Sequence, residues 1–277
     1  MSDDADNSLK AQHSRKFDTS GEQESETSEF LKTAVLAVLL ALFIRTFFFE
    51  PFNIPSGSML PTLQIGDYLF VSKTSYGYSK YSFPFGMADF DGRMMEAPPQ
   101  RGDVVVFKLP SDQRTDYIKR LVGMPGDTIQ VRRGRLYING EMVDREPVGL
   151  TRVGAQEGGK ESVMEYIETL PGGVMHKIYE ESDSGNLDNT PLYEVPPKHY
   201  FMMGDNRDNS ADSRVMDLVG FVPEENLIGP ARILFFSIDQ SAVVYKPWTW
   251  FQAIRYGRIL KKIEPIRPAE AAAEKKE

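Results

Sequence analysis

The chain contains no cysteine, which excludes thiol nucleophiles, disulfide bridges and thiolate metal sites. The absence leaves the compartment open, because a large domain outside the cytosol can do without disulfides. Histidine is nearly as scarce. His13, His176 and His199 are the only three in 277 residues, which makes a zinc centre with several imidazole ligands hard to build. Excess positive charge is also missing: the formal net charge of −8 argues against nucleic acid as a partner. Residues 1–29 carry eight acidic and three basic side chains, so five of those eight charges are local and the rest of the chain is only mildly acidic. No internal repeat is found.

One long apolar run stands out. Residues 1–29 are polar, rich in Ser, Asp and Glu, and are expected to be a disordered acidic leader. Residues 30–49, FLKTAVLAVLLALFIRTFFF, are charge-free only from Thr33 to Ile44. Lys32 and Arg45 near the ends can snorkel to an interface, and Phe47, Phe48 and Phe49 extend the apolar length to about twenty residues, roughly 30 Å of helix. Pro51 stops that helix. This predicts a transmembrane helix over 30–49. A cleaved secretory signal is the competing reading; the long leader and the bulky residues after the run argue against it. Basic residues precede the span (Lys10, Arg15, Lys16, Lys32), and after Arg45 the next is Lys73. That bias predicts a cytoplasmic N-terminus and a translocated body, single-pass.

The body from about 50 to 245 reads as β. DYLFVSK, DVVVFKL, DTIQVRRGRLYING and ARILFFSI are short runs rich in Val, Ile, Phe and Tyr, bounded by Gly, Pro and Asp. Arg133-Gly134 reads as a hairpin turn. The expected fold is mainly β, an antiparallel sheet in two parts, 50–142 and 199–245, with a weakly patterned β insert or subdomain at 143–198. At 246–277, KPWTWFQAIRYGRILKKI reads as a terminal helix packed on the body or as an aromatic and basic patch touching lipid, followed by a solvated tail.

Three segments carry candidate chemistry. In EPFNIPSGSMLPTLQIGD, Ser56 and Ser58 flank Gly57, which lets backbone approach closely. Taken alone this is an ordinary Pro/Gly/Ser turn. Its place sharpens it, for Ser58 lies at most about 30 Å of extended chain beyond Phe49. A serine nucleophile needs a base. His199 is the one plausible histidine; the alternative is a lysine whose ammonium is disfavoured by apolar surroundings. TDYIKRLVGMPGD offers Lys119, on the same strand face as Tyr117 and opposite Ile118 and Arg120. By pattern alone Lys119 is equally an ordinary surface lysine. GDNRDNSADSR, 204–214, is a polar loop, either a plain loop tip or a rigid scaffold around a site.

Together the apolar span, IPSGSMLPTL, RGDVVVFKLP, DYIKRLVGMPGD and FMMGDNRDNSADSR resemble bacterial signal peptidase I, the leader peptidase, in order and spacing over roughly residues 30–235. The resemblance implies a mostly β serine endopeptidase of the bacterial inner membrane, with its catalytic domain on the outer side, cutting signal peptides from preproteins. It implies Ser58 as nucleophile and Lys119 as general base. Ser56 and the Ser58 N–H would line the oxyanion hole, Ser210 would orient the lysine, Asp212 and Arg214 would form a supporting ion pair, and Gly204 would pack near the lysine stem. Phe52, Ile54, Pro55, Met59, Leu63, Tyr117 and Ile118 fall near the dyad in sequence and would line shallow pockets for small residues at −1 and −3. No metal or cofactor is required, and the partners implied are preproteins, the lipid bilayer and the secretion translocon. Two departures are plain: one span where some members have two, and no cysteine pair in the insert. Rival readings are a Ser/Lys peptidase for a narrow pilin or conjugation clientele, a Ser-His hydrolase using His199, and a non-catalytic, membrane-tethered peptide-binding β module.

Overall fold

A computed structural model of the chain describes residues 19–83, 89–153, 161–239, 241–242 and 246–266. Two units divide at Arg45 and Thr46. In the first, a helix runs from Thr19 into the second unit at Phe47. Its stretch Thr27–Phe47 is long and apolar enough to cross a membrane. Leu36 and Leu39 are more than half exposed, as lipid-facing side chains are. Residues 19–29, expected to be disordered, are helical instead. Once an apolar helix has nucleated, each added residue gains a hydrogen bond without a new nucleation cost. The rest of the leader, 1–18, and the end of the tail, 267–277, lie outside the described residues.

The body is antiparallel β, as its alternating and β-branched runs predict. A seven-stranded sheet has the order β1 (Phe49–Asn53), β2 (Asp67–Ser72), β14 (Leu227–Ser237), β3 (Val104–Lys108), β4 (Asp116–Gly123), β12 (His199–Met203) and β13 (Val222–Pro223). Register shifts interrupt β14 against β2 and β3, and β12 against β4. Such bulges bend strands, so the sheet curls instead of lying flat. Gly229 shows why one shift needs its residue: a Cβ there would collide with the Ser72 carbonyl oxygen. A four-stranded sheet has the order β11 (Tyr193–Glu194), β5 (Thr128–Arg132), β6 (Arg135–Ile138) and β7 (Glu141–Met142). Between β5 and β6, Arg133 and Gly134 both take positive φ, 49° and 69°, which is the two-residue turn expected there. Three strands, β8 (Asp144–Val153), β9 (Glu161–Leu170) and β10 (Val174–Glu180), form a further sheet in the order β10-β9-β8.

The packing that positions the site is a cluster of Ile54, Met59, Leu63, Leu69, Val71, Val104 and Val106 with residues of β14. It anchors the loop after β1 from beneath. At the C-terminal end, KPWTWFQAIRYGRILKKI does not form the packed terminal helix that is one of its two readings. Short turns at Pro247–Thr249, Trp250–Ala253 and Tyr256–Arg258 replace it. Bridges Ile238↔Ile254 and Ile233↔Lys262 hold the segment extended along β14. Arg258 pairs with buried Asp67 at 2.5 Å, and Arg255 donates to the carbonyl of Ile65, contacts a continuous helix would forfeit. Trp248 and Phe251 remain about 70% exposed, at 67% and 72%.

Candidate active site

The loop 54–66 joins β1 to β2, and its ends are tied by Ile54 N–H to the Asp67 carbonyl (2.8 Å) and Gly66 N–H to the Ile54 carbonyl (2.9 Å). Its far side is held by the 204–214 loop. Asn206 donates its backbone N–H to the Ser58 carbonyl and its side-chain amide to the Gly57 carbonyl, both at 3.1 Å. Ser58 is thereby fixed over β4, where Lys119 pairs in register with Val105 of β3.

The two side chains meet: Lys119 Nζ lies 2.7 Å from Ser58 Oγ. The amine donates to the Ile118 carbonyl at 3.0 Å and sits 5.3 Å from the Tyr117 ring centroid. Lys119 is only 4% exposed. Burial pulls its pKa down to about 8, against a smaller upward pull from the charges of Asp212 and Asp205. No carboxylate pairs with the amine among the described residues. Ser56 Oγ lies 3.4 Å from Ser58 Oγ.

The supporting residues fall around this pair. Asp212 and Arg214 form a buried bidentate pair at 2.8–2.9 Å, and Asp212 accepts the Gly204 N–H at 3.0 Å. Burial pushes the Asp212 carboxyl up, but Arg214 and that N–H outweigh it and hold it below the usual range. Ser210 makes no hydrogen bond to Lys119, whose amine instead donates to the Ile118 carbonyl of its own strand. A Cβ at Gly204 would meet Ser210 and, at 2.6 Å, the Ser58 carbonyl oxygen, so its nearest neighbours are these two residues and not the lysine stem.

A cleft of about 1300 Å³ opens beside the pair, lined in part by Phe52, Ile54, Pro55, Ser56, Ser58, Tyr117, Ile118 and Lys119. Met59 and Leu63 do not reach it. Both are fully buried in the cluster under the loop. The chain makes one helical turn here, with Leu63 N–H bonded to the Met59 carbonyl, so side chains four apart point the same way, inward. Sequence reasoning missed the opposite wall, which includes Arg152, Val153 and Val163 of the three-stranded sheet and Tyr179 of β10. Nothing local marks those residues. It also missed the buried salt bridge of Arg120 to Asp205, which accepts from Thr62. Of the histidines, His176 is buried against Glu168 and Asp205 at 3.4 and 3.9 Å, and burial, then Arg120 and Arg207, drive its pKa well down. His199 Nδ1 is bonded to the Pro197 carbonyl at 2.9 Å, and its ring lines a separate, smaller pocket.

The family described as signal peptidase, peptidase S26, matches residues 27–236. This chain belongs to that family of peptidases. Relatives agree with the family match. Signal peptidase I of Rickettsia canadensis (strain McKiel) is 38% identical over 264 residues, 89% of this chain and 97% of the relative. That of Rickettsia typhi is 40% identical over 243 residues, 82% of this chain and 90% of the relative. A crystal structure of a signal peptidase I from Enterococcus faecalis V583 aligns with 48% of this chain and 97% of its own, at 27% identity and a TM-score of 0.29. The signal peptidase match spans the apolar helix, the Ser58 loop, β4 and the 204–214 loop together.

Proposed function

We propose that the chain is a membrane-bound serine endopeptidase that removes N-terminal signal peptides from exported preproteins, with Ser58 as nucleophile and Lys119 as general base. The observation that carries this reading is the 2.7 Å contact between a serine hydroxyl and a lysine amine that is 96% buried and, among the described residues, unpaired by any carboxylate. With a pKa of about 8, about a tenth of the amine is neutral at pH 7. The neutral amine takes the Ser58 proton as the hydroxyl oxygen attacks the scissile carbonyl. The Ile118 carbonyl accepts a hydrogen bond from the amine and holds it against Ser58. As the tetrahedral intermediate collapses, the ammonium returns its proton to the leaving amine. Water then attacks the acyl-enzyme ester, with Lys119 again taking the proton.

The oxyanion is assigned to the Ser58 N–H, which has no acceptor among the described residues, and to Ser56 Oγ. One such donor contributes about 3 kcal/mol to transition-state stabilisation. Ser210 and Gly204 serve by packing behind Ser58, and Asp212–Arg214 by stiffening the loop that carries Asn206. Phe52, Ile54, Pro55, Tyr117 and Ile118 form the apolar floor that receives small residues of an extended peptide. The helix crosses the bacterial inner membrane once with the N-terminus cytoplasmic, which places the body on the outer side near the lipid surface and the translocon. Detergent-solubilised protein incubated with a preprotein tests the reading: wild type releases mature protein, and Ser58→Ala and Lys119→Ala do not. Near-normal cleavage by the Lys119 variant removes lysine from its role as base.

A further inference from the structure

A cluster of three acidic side chains, Glu180, Asp188 and Asp208, lies outside the Ser58–Lys119 pair, which makes no use of it. Glu180 closes β10, Asp188 follows in the next loop, and Asp208 lies in the 204–214 loop that pins Ser58. One carboxylate oxygen from each lies within 4.8 Å of the others. Glu180 and Asp188 are 3% and 1% exposed, and Asp208 is half-buried. Neither oxygen of Glu180 has a hydrogen-bond donor, and nor does Asp188 Oδ1. Asp188 Oδ2 is occupied by the Gly185 N–H, and Asp208 Oδ2 by the N–H groups of Glu181 and Ser182. The neighbouring guanidiniums make their hydrogen bonds elsewhere. Arg207 is bidentate to Glu168 and Arg214 to Asp212. Arg145 hydrogen-bonds Asp183 at 2.9 Å and stacks on Tyr166, and makes only a longer ion pair with Glu180, at 3.6 Å. Gly185 keeps the space open, for a Cβ there would lie 2.7 Å from Asp208 Oδ1 and 3.2 Å from Asp188 Oδ2.

Buried carboxylates this close cannot all ionise without a positive partner. We infer that Glu180, Asp188 and Asp208 bind one divalent cation, with calcium the best match. Three hard oxygens suit calcium, whose ligands stand about 2.3–2.6 Å away, and side-chain shifts of a few tenths of an ångström bring all three atoms within reach of one ion. Water completes the shell on the half-buried Asp208 side. The ion ties the loop after β10 to the 204–214 loop, two residues from the Asn206 that holds Ser58. Its role is to stiffen the junction between the three-stranded sheet and the catalytic sheet.

The test uses the full-length protein in detergent, treated with EDTA and dialysed. Calcium chloride titrated in a calorimeter is expected to show one site per chain, and calcium at about 100 times its Kd to raise Tm by about 5–10 °C. Magnesium chloride is the second arm and is expected to bind more weakly, because it demands a tighter octahedral shell. Glu180→Gln and Asp188→Asn are expected to weaken calcium binding at least tenfold and to abolish the Tm rise. Should either fail to fold, the half-buried Asp208→Asn carries the same test. Absence of calcium heat and of any Tm rise in the wild type overturns the proposal, as does a folded variant that binds calcium like the wild type.

Discussion

Lys119 and Arg120 are consecutive residues of β4, each 4% exposed, yet the body treats them in opposite ways. Arg120 is met by charge and geometry. Asp205 takes its Nε and Nη2 at 2.7 and 2.6 Å, the Gly102 carbonyl takes Nη1 at 2.7 Å, and Thr62 Oγ1 lies 3.2 Å from Nη2. Lys119 is met by one hydroxyl and one carbonyl. Burial penalises both cations, but only the guanidinium is offset by a carboxylate in contact. The lesson is that the partner, not the depth, decides what a buried base can do. A fully paired cation is scaffolding; an unpaired one can lose its proton and become reactive.

The same substitution at both positions should break this symmetry most widely. Lys119→Met is expected to reduce preprotein cleavage by about 10⁴-fold, as loss of a residue acting with a nucleophile does. It should also stabilise the fold. The Lys119 pKa falls from 10.5 to about 8 on folding, so below pH 8 the native state holds a penalised ammonium. Between pH 8 and 10.5 the unfolded chain binds more protons, and wild-type stability rises with pH. The variant's advantage is therefore full below pH 8, about 1–3 kcal/mol, and fades towards pH 10.5. Arg120→Met leaves Asp205 buried without its cation and is expected to cost about 3–5 kcal/mol. Urea unfolding of the two variants at pH 7 should give midpoints on opposite sides of wild type. Midpoints shifted in the same direction break the comparison.

The next largest effect is on pH dependence. kcat/KM should rise with pH along a limb whose midpoint is about 8 if, as proposed, the neutral amine is the reactive form. The charge of Asp212 holds that value up, so Asp212→Asn should move the limb to lower pH in the protein that remains folded. A limb that stays in place, or moves up, removes Asp212 from the electrostatics of the amine.

How much of this contrast was legible in the sequence differs between the two residues. The β runs, the apolar span and the Arg133-Gly134 turn follow from local pattern. Ser58 and Lys119 emerged from motif resemblance; pattern alone left Lys119 an ordinary surface lysine. Arg120 drew no attention, because its partner Asp205 lies 85 positions away and no periodicity connects them. Met59 and Leu63 were misread as cleft residues because adjacency to Ser58 does not reveal that a helical turn aims them inward. The cleft's second wall was invisible for the same reason as Asp205: long-range pairing brings it there.

Thr62 sharpens the paired side on a smaller scale. Its hydroxyl donates to Asp205 Oδ2 at 2.5 Å and faces Arg120 Nη2. Thr62→Val keeps the shape and removes those bonds, so a loss of about 1–2 kcal/mol is expected with cleavage within about twofold of wild type. A large fall in activity with unchanged stability would join the Arg120 network to the chemistry and blur the division between neighbours.

The smallest effect is expected at His199. If burial without a carboxylate is what makes Lys119 the base, no imidazole is needed. His199 is bonded to the Pro197 carbonyl and lines a pocket apart from the Ser58 cleft. His176 is buried beside Asp205 and Glu168, on the paired side of the comparison, so its removal would disturb folding rather than report on proton transfer. His199→Ala is therefore the clean probe. Its kcat/KM should stay within about twofold of wild type across the pH range, with the limb unmoved. Loss of turnover, or loss of the limb, would mean that the proton leaves Ser58 by way of an imidazole, and the dry amine on β4 would be reduced to a structural contact.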